Sequence, residues 1–189
     1  MKRYELNVAG ITRYLEFVDL DGGMAYASFV IMSDTEMIEA VGPKLAERIG
    51  DCDVIITAEA KGIALAFKIS ELLGHKNFVV ARKSEKTYMK DVTTVEVKSI
   101  TTANTQTLLL DGLDKKNIEG KRVCIVDDVV STGGSLKALE ELVERCGGKV
   151  VKVACVLAEG EAYKRDDIIY LEKLPLFKKV GEEYEVLEW

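Results

Sequence analysis

Residues 123–136 read VCIVDDVVSTGGSL. Four apolar residues run directly into Asp127 and Asp128, and five small residues, Ser131 to Ser135, follow before the chain turns apolar again. The apolar run, counted from Arg122 to Asp127, predicts a short buried strand. SLKALEELVERCGG, from Ser135 onward, carries apolar residues at helical spacing and stops at a glycine pair. The stretch is therefore a strand, a small-residue loop and a helix, with two carboxylates at the strand's carboxyl end.

The same alternation extends on both sides. VIITA (54–58) is a β-branched strand, and KGIALAFKISELLG (61–74) is a helix ending at Gly74. NFVVA (77–81) and KVVKVACVLA (149–158) are further strands. Strands apolar on both faces and separated by helices predict a doubly wound parallel α/β sheet covered on both sides. Two segments depart from this rhythm. Residues 83–107 are polar and Thr-rich, with a period-2 patch at TTVEVKS that suits a hairpin; so long an excursion is either a functional lid or disordered. Residues 1–50 contain GGMAYASFV and the helix-like DTEMIEAVGPKLAERIG. The expected organisation is one domain over 1–189: an N-terminal hood region with the first helix (1–50), a core (51–160) and a C-terminal extension (161–189).

The chain has 189 residues, 48% hydrophobic and 31% charged, enough apolar mass for a core under a charged surface. A net charge of −6 gives no general attraction to nucleic acid or to an anionic membrane. The absence of an apolar run of about eighteen residues, or of an apolar signal core in MKRYELNVAG, predicts a cytoplasmic protein. Cys52, Cys124, Cys146 and Cys155 are widely spaced and read as reduced core thiols. A single histidine, His75, argues against a His-based triad or a His-rich metal site.

Ligands of open parallel sheets bind beyond the carboxyl ends of the strands, where Asp127 and Asp128 stand. The loop Ser131, Thr132, Gly133, Gly134 and Ser135 runs into a helix N-terminus, whose free N–H groups and dipole favour an anion. The adjoining carboxylates would repel that anion, so they suit neutral hydroxyls or a cation. A phosphate with hydroxyls about one sugar length away is a ribose 5-phosphate. The competing reading is a plain turn with the aspartates capping a helix. It is not a Walker loop, because no lysine follows the second glycine.

VCIVDDVVSTGGSL resembles the phosphoribosyl-pyrophosphate signature of the type I phosphoribosyltransferases. The resemblance implies that Asp127 and Asp128 hold the ribose 2- and 3-hydroxyls and that the loop 131–135 holds the 5-phosphate. TAEAKGIALA (57–66) is similar to the pyrophosphate loop of purine members, which implies Glu59, Ala60, Lys61 and Gly62 around an unusual cis peptide. ARKSEK (81–86) is similar to the segment in which Arg82 and Lys86, with Lys83 between them, grip pyrophosphate. Read alone, Lys61 and this basic cluster are better explained as solvated charge, but the cluster's place at a strand end, opening the long polar excursion, favours the functional reading. The likeness covers residues 50–160 and implies Mg²⁺ held mainly through the substrate, with Asp127 and Asp128 as further ligands. It also implies a mobile hood over 83–107, a homodimer, and phosphoribosyl pyrophosphate and a purine as substrates.

Within the family, TGGS and EAKG are similar to the adenine and xanthine enzymes. The 6-oxopurine salvage type carries Lys at the position of Gly134, and no histidine stands in 83–107 as in orotate enzymes. One departure is Thr101, where adenine enzymes place a glutamate. Tyr26 and Phe29 are either a stacking platform for the base or ordinary core aromatics. Two other classes compete with transfer. One is a non-catalytic phosphoribosyl-pyrophosphate sensor, although residues 1–53 show no helix-turn-helix pattern or basic stripe. The other is a phosphatase with Asp127 as nucleophile, which leaves the small-residue loop unexplained.

Overall fold

A computed structural model describes residues 1–98 and 105–187. Its centre is a five-stranded parallel sheet of β5 (Val54–Ala58), β6 (Val79–Ala81), β9 (Arg122–Val130), β10 (Lys149–Glu159) and β11 (Ile169–Leu174), in the spatial order β11-β10-β9-β5-β6. Alternate residues of each strand serve opposite cores. Ile55, Cys124, Val126, Ala154 and Val156 pack against helices α1 (Thr35–Ile49) and α2 (Ile63–Leu72). Val54, Ile56, Val123, Ile125, Val153 and Cys155 pack on the other face with α3 (Gly112–Ile118) and α4 (Gly134–Arg145). Burial on both faces is why these strands read as unbroken apolar runs.

The helices begin and face as their sequences direct. Asp34 caps α1 by accepting from the Met37 N–H at 3.0 Å, and Met37, Ile38, Val41, Leu45 and Ile49 form its buried stripe. In α4 the stripe is Leu136, Leu139, Leu142 and Val143. None of the described helices is long and apolar enough to cross a membrane.

The polar excursion is partly a ladder. β7 (Thr93–Lys98) pairs antiparallel with β8 (Thr105–Leu110), and Val95, Leu108 and Leu110 are buried in the α4-side core. Backbone hydrogen bonds of 2.9 Å in both directions between Arg82 and Leu109 tie this ladder to the end of β6. Thr101 lies outside the described residues.

The two ends of the chain meet. β1 (Tyr4–Val8) and β2 (Ile11–Leu15) form a hairpin. β3 (Phe17–Asp19) and β4 (Met24–Ala27) join β12 (Leu176–Val180) and β13 (Glu183–Val186) in an antiparallel sheet ordered β13-β12-β4-β3. Phe177 holds them together, with its ring centroid 5.2 Å from Tyr4 and 4.7 Å from Phe17 in edge-to-face geometry. Residues 161–189 thus supply the fifth strand of the main sheet as well as half of the small one.

Candidate active site

Taking the main-sheet strands in chain order, the arrangement is 2-1-3-4-5, so the direction of winding reverses between β5 and β9. The loops leaving the carboxyl ends of two strands at such a point diverge and open a crevice. Here the loop after β5 is Glu59–Gly62, and β9 delivers Asp127, Asp128 and the loop 131–135. Ala58, Glu59, Ala60, Lys61, Lys83, Asp127, Asp128 and Ser135 surround a cavity of about 210 Å³ between them. A second hollow of about 140 Å³ lies against Asp127, the loop 131–135 and Leu136. The topology therefore brings together residues separated by as many as 77 positions in sequence, Ala58 and Ser135.

The two aspartates differ. Asp128 is 2% exposed, and its Oδ2 makes no hydrogen bond, although Lys61 Nζ lies 3.0 Å away as an ion pair. Asp127 faces the cavity and accepts the Asp128 backbone N–H at 2.9 Å through Oδ1. Burial, then the neighbouring Asp128 carboxylate, push the Asp127 carboxyl up to about 7 against the pull of that hydrogen bond and of Lys61. Two carboxylates side by side and largely desolvated are an unfinished arrangement, suited to hydroxyl donors or a cation.

The loop after β5 is packed tightly. The Glu59–Ala60 peptide is cis. A Cβ on Gly62 would lie 2.3 Å from Thr57 Oγ1, on a fully buried side chain, and 3.4 Å from Asp127 Oδ1. Only glycine lets the loop fold back this closely onto Thr57 of β5.

Basic side chains across the crevice are held by local partners. Glu59 takes Arg82 Nη1 at 3.5 Å with one oxygen and the Lys83 backbone N–H at 2.6 Å with the other. Asp114 of α3 also senses the Arg82 charge; burial, then Asp111, push its carboxyl up to about 6. Lys86 donates to Ser84 Oγ at 2.7 Å. Lys61 and Lys83 line the cavity, whereas Arg82 and Lys86 do not.

After Val130 the chain turns through Gly133, whose φ of 80° lies in the left-handed region, and α4 starts with no side chain capping it. Gly134 has open space where a Cβ would project. The uncapped helix start and its small residues form a concavity of backbone N–H groups.

Tyr26 and Phe29 border neither cavity. Tyr26 sits on β4, opposite Val18 and Leu176. Of the two readings of Phe29, the core ring fits its burial: it is 5% exposed and belongs to the α1-side core. One site residue escaped the sequence reading. Glu159 ends β10 one position beyond Ala158, which pairs with Val130, so it emerges beside Ser131. Burial raises its carboxyl, while the Ser131 hydroxyl and Lys61 hold it down. No motif marks it; the signal is the register of β9 with β10.

Among the described residues no cluster of three or more His, Cys, Asp or Glu side chains is gathered as for a metal ion. The donors present still fit Mg²⁺, because Asp127 and the hydrogen-bond-free Oδ2 of Asp128 are the hard oxygens it takes. With only these two, most of its octahedron would come from substrate oxygens and water.

A crevice at a sheet's switch point, flanked by an anion-accepting helix start and a carboxylate pair, agrees with what related chains are. An adenine phosphoribosyltransferase of Petrotoga mobilis is 33% identical over 150 residues, spanning 78% of this chain and 83% of the relative. A hypoxanthine/guanine phosphoribosyltransferase of Methanococcus voltae is 35% identical over 136 residues, spanning 71% and 68%. The crystal structure of adenine phosphoribosyltransferase from Thermoanaerobacter pseudethanolicus superposes with a TM-score of 0.65 at 25% identity, covering 91% of this chain and 95% of that one. The sequence model of the phosphoribosyl transferase domain matches residues 33–189, from the start of α1 through both crevice loops to the last strand, and the chain belongs to the phosphoribosyltransferase family.

Proposed function

We propose that this protein is a purine phosphoribosyltransferase acting in nucleotide salvage, with adenine as the first substrate to be tried. The ring nitrogen of the base forms its bond to C1 of phosphoribosyl pyrophosphate as the C1–oxygen bond breaks, and that electron pair leaves with pyrophosphate. The observation that carries this reading is the crevice between β5 and β9, where the Asp127–Asp128 pair stands between two anion-suited loops.

In this reading Asp127 and Asp128 accept hydrogen bonds from the ribose 2- and 3-hydroxyls, and the backbone of 131–135 seats the 5-phosphate. Lys61, Lys83, Arg82 and Lys86 face the pyrophosphate, with Ala60 and Gly62 leaving room for it. Glu59, a carboxylate, orients Arg82 and the backbone at Lys83. No protein nucleophile is required; positioning and stabilisation of the leaving group carry the reaction. Mg²⁺, which Asp127 and Asp128 would help to hold, would supply charge neutralisation for the leaving group when bound. In the same reading the hood, of which residues 99–104 lie outside the described residues, would keep water from the ribosyl cation. A cytoplasmic homodimer belongs to the same proposal, and light scattering of the purified protein tests the dimer.

A 6-oxopurine substrate is the second reading, favoured by the 35% identity to a hypoxanthine/guanine enzyme. Pyrophosphate release from phosphoribosyl pyrophosphate and Mg²⁺ with adenine, hypoxanthine, guanine, xanthine and orotate in turn separates the two. Adenine should turn over fastest. Release with none of the five would overturn the enzymatic reading in favour of a sensor.

A further inference from the structure

The loop 131–135 has an electrostatic deficit that its own residues do not cover. A sugar phosphate carries a charge near −1.5 to −2, whereas a helix start offers about half a positive charge. The carboxylates of Asp127, Asp128 and Glu159 stand close by and make the deficit worse. Lys61, Lys83 and Arg82 lie on the β5–β6 side of the crevice, beside the other loop.

A cation stands over the loop from a different direction. After β10 a short 3-10 turn (Gly160–Lys164) leads to Arg165. Its guanidinium is locked by a two-pronged pair with Asp167, Nε to Oδ1 at 2.9 Å and Nη2 to Oδ2 at 2.6 Å. That pairing turns Nη1 toward the loop, where it lies 3.0 Å from the point a Cβ on Gly133 would occupy. The side chain is 32% exposed, so it remains open to a ligand. Glu140 of α4 also senses its charge, and burial pushes that carboxyl up. The glycine at 133 therefore answers to two demands, a left-handed backbone and space for a guanidinium.

We infer that Arg165 is a ligand of the 5-phosphate, held in place by Asp167, and that the segment 160–167 belongs to the substrate site. The inference rests on the reading of 131–135 as the phosphate seat. A guanidinium fixed on one edge by a carboxylate keeps its other edge free for an anion, which suits Arg and not Lys.

The test is calorimetric titration of the full-length protein with ribose 5-phosphate and, separately, with pyrophosphate, alongside thermal melts. Arg165→Gln should weaken ribose 5-phosphate about tenfold to a hundredfold, the scale of one charge-assisted hydrogen bond, and leave pyrophosphate unchanged. Arg165→Lys should recover part of the loss, and Asp167→Asn should fall between wild type and Arg165→Gln. ³¹P spectra of bound ribose 5-phosphate add a readout that loop distortion would not move: the phosphate's second pKa should rise when the cation is removed. Equal affinity in wild type and Arg165→Gln, or an unchanged ³¹P titration, overturns the role of Arg165 while leaving the phosphate seat standing. Binding that survives both Gly134→Val and Arg165→Gln would mean the anion sits elsewhere, which overturns both readings.

Discussion

The loop after β9 and the loops after β5 and β6 face each other across one crevice, yet they are prepared for anions by different means. The first is made of backbone: a left-handed Gly133, an uncapped helix start and an open Gly134. The second is made of charged side chains that are already paired, Lys61 with Asp128 and Arg82 with Glu59, while Lys86 bonds to Ser84. Backbone donors are positioned once the fold forms. Side-chain cations must leave a partner before they can serve an anion, so their contribution depends on what the ligand offers in exchange. The first loop therefore suits a group held throughout the reaction, and the second suits one whose charge grows as it departs.

The sharpest way to break that contrast is to remove the cations. Arg82→Ala with Lys86→Ala should lower turnover by about a hundredfold or more, the scale of removing preorganised donors from a developing anion. Affinity for ribose 5-phosphate, which lacks the leaving group, should change little. Steady-state kinetics beside calorimetry decide it, and equal losses in both would erase the distinction between the loops.

The opposite intervention is Asp127→Asn. It removes a charge-assisted acceptor for a sugar hydroxyl, so phosphoribosyl pyrophosphate should bind about 1.5–3 kcal/mol more weakly. Calorimetry that finds no change in this variant and in Asp128→Asn would remove the ribose from the crevice.

Two glycines sharpen the comparison through stability. Gly62→Ala places a Cβ 2.3 Å from Thr57 Oγ1 and should cost about 1–3 kcal/mol in a denaturant melt. Gly134→Val meets open space, should shift the melt by no more than about 0.5 kcal/mol, and should still block ribose 5-phosphate. If both variants melt alike, the tight packing assigned to the loop after β5 is not there.

The remaining test is a pH dependence. Asp127 has a folded-state pKa of about 7, above the ordinary carboxylate value near 3.9. Between those values the folded state holds more protons than the unfolded one. The contribution to stability is therefore complete below about pH 4 and is lost as pH rises through 7, at no more than about 1.4 kcal/mol per pH unit. Asp114 and Glu159 shift in the same direction. The relevant measurement is thus the difference between wild type and Asp127→Asn in urea melts from pH 5 to 8, and parallel curves would contradict it.

Strands β5, β9 and β10 were legible because both of their faces are buried, which leaves unbroken apolar runs that no polar partner interrupts. VCIVDDVVSTGGSL announced its chemistry for a related reason: small residues and paired carboxylates at a strand end have few structural uses. The end strands were not legible. In LFKKVGEEYEV, β12 and β13 alternate weakly, and their Phe177 and Tyr184 lean on Tyr4 and Phe17, up to 173 positions away. Phe29 read equally well as a binding ring or a core ring, because an aromatic residue in a polar-flanked segment carries no label for its neighbour.

The sequence by itself determined the parallel α/β sheet, the carboxylate pair and the small-residue loop, since each follows from properties local to a strand and the turn after it. The tertiary structure alone decided which charges meet. Lys61 reaches Asp128 because the winding reverses between β5 and β9, and Glu59 holds Arg82 because β5 and β6 run in register, with Ala58 beside Ala81. Arg165 lies against Gly133 because the turn after β10 folds back over the start of α4. Charge pairs of this kind are set by distances through space, and spacing along the chain contains no measure of them until the sheet order and register are in place.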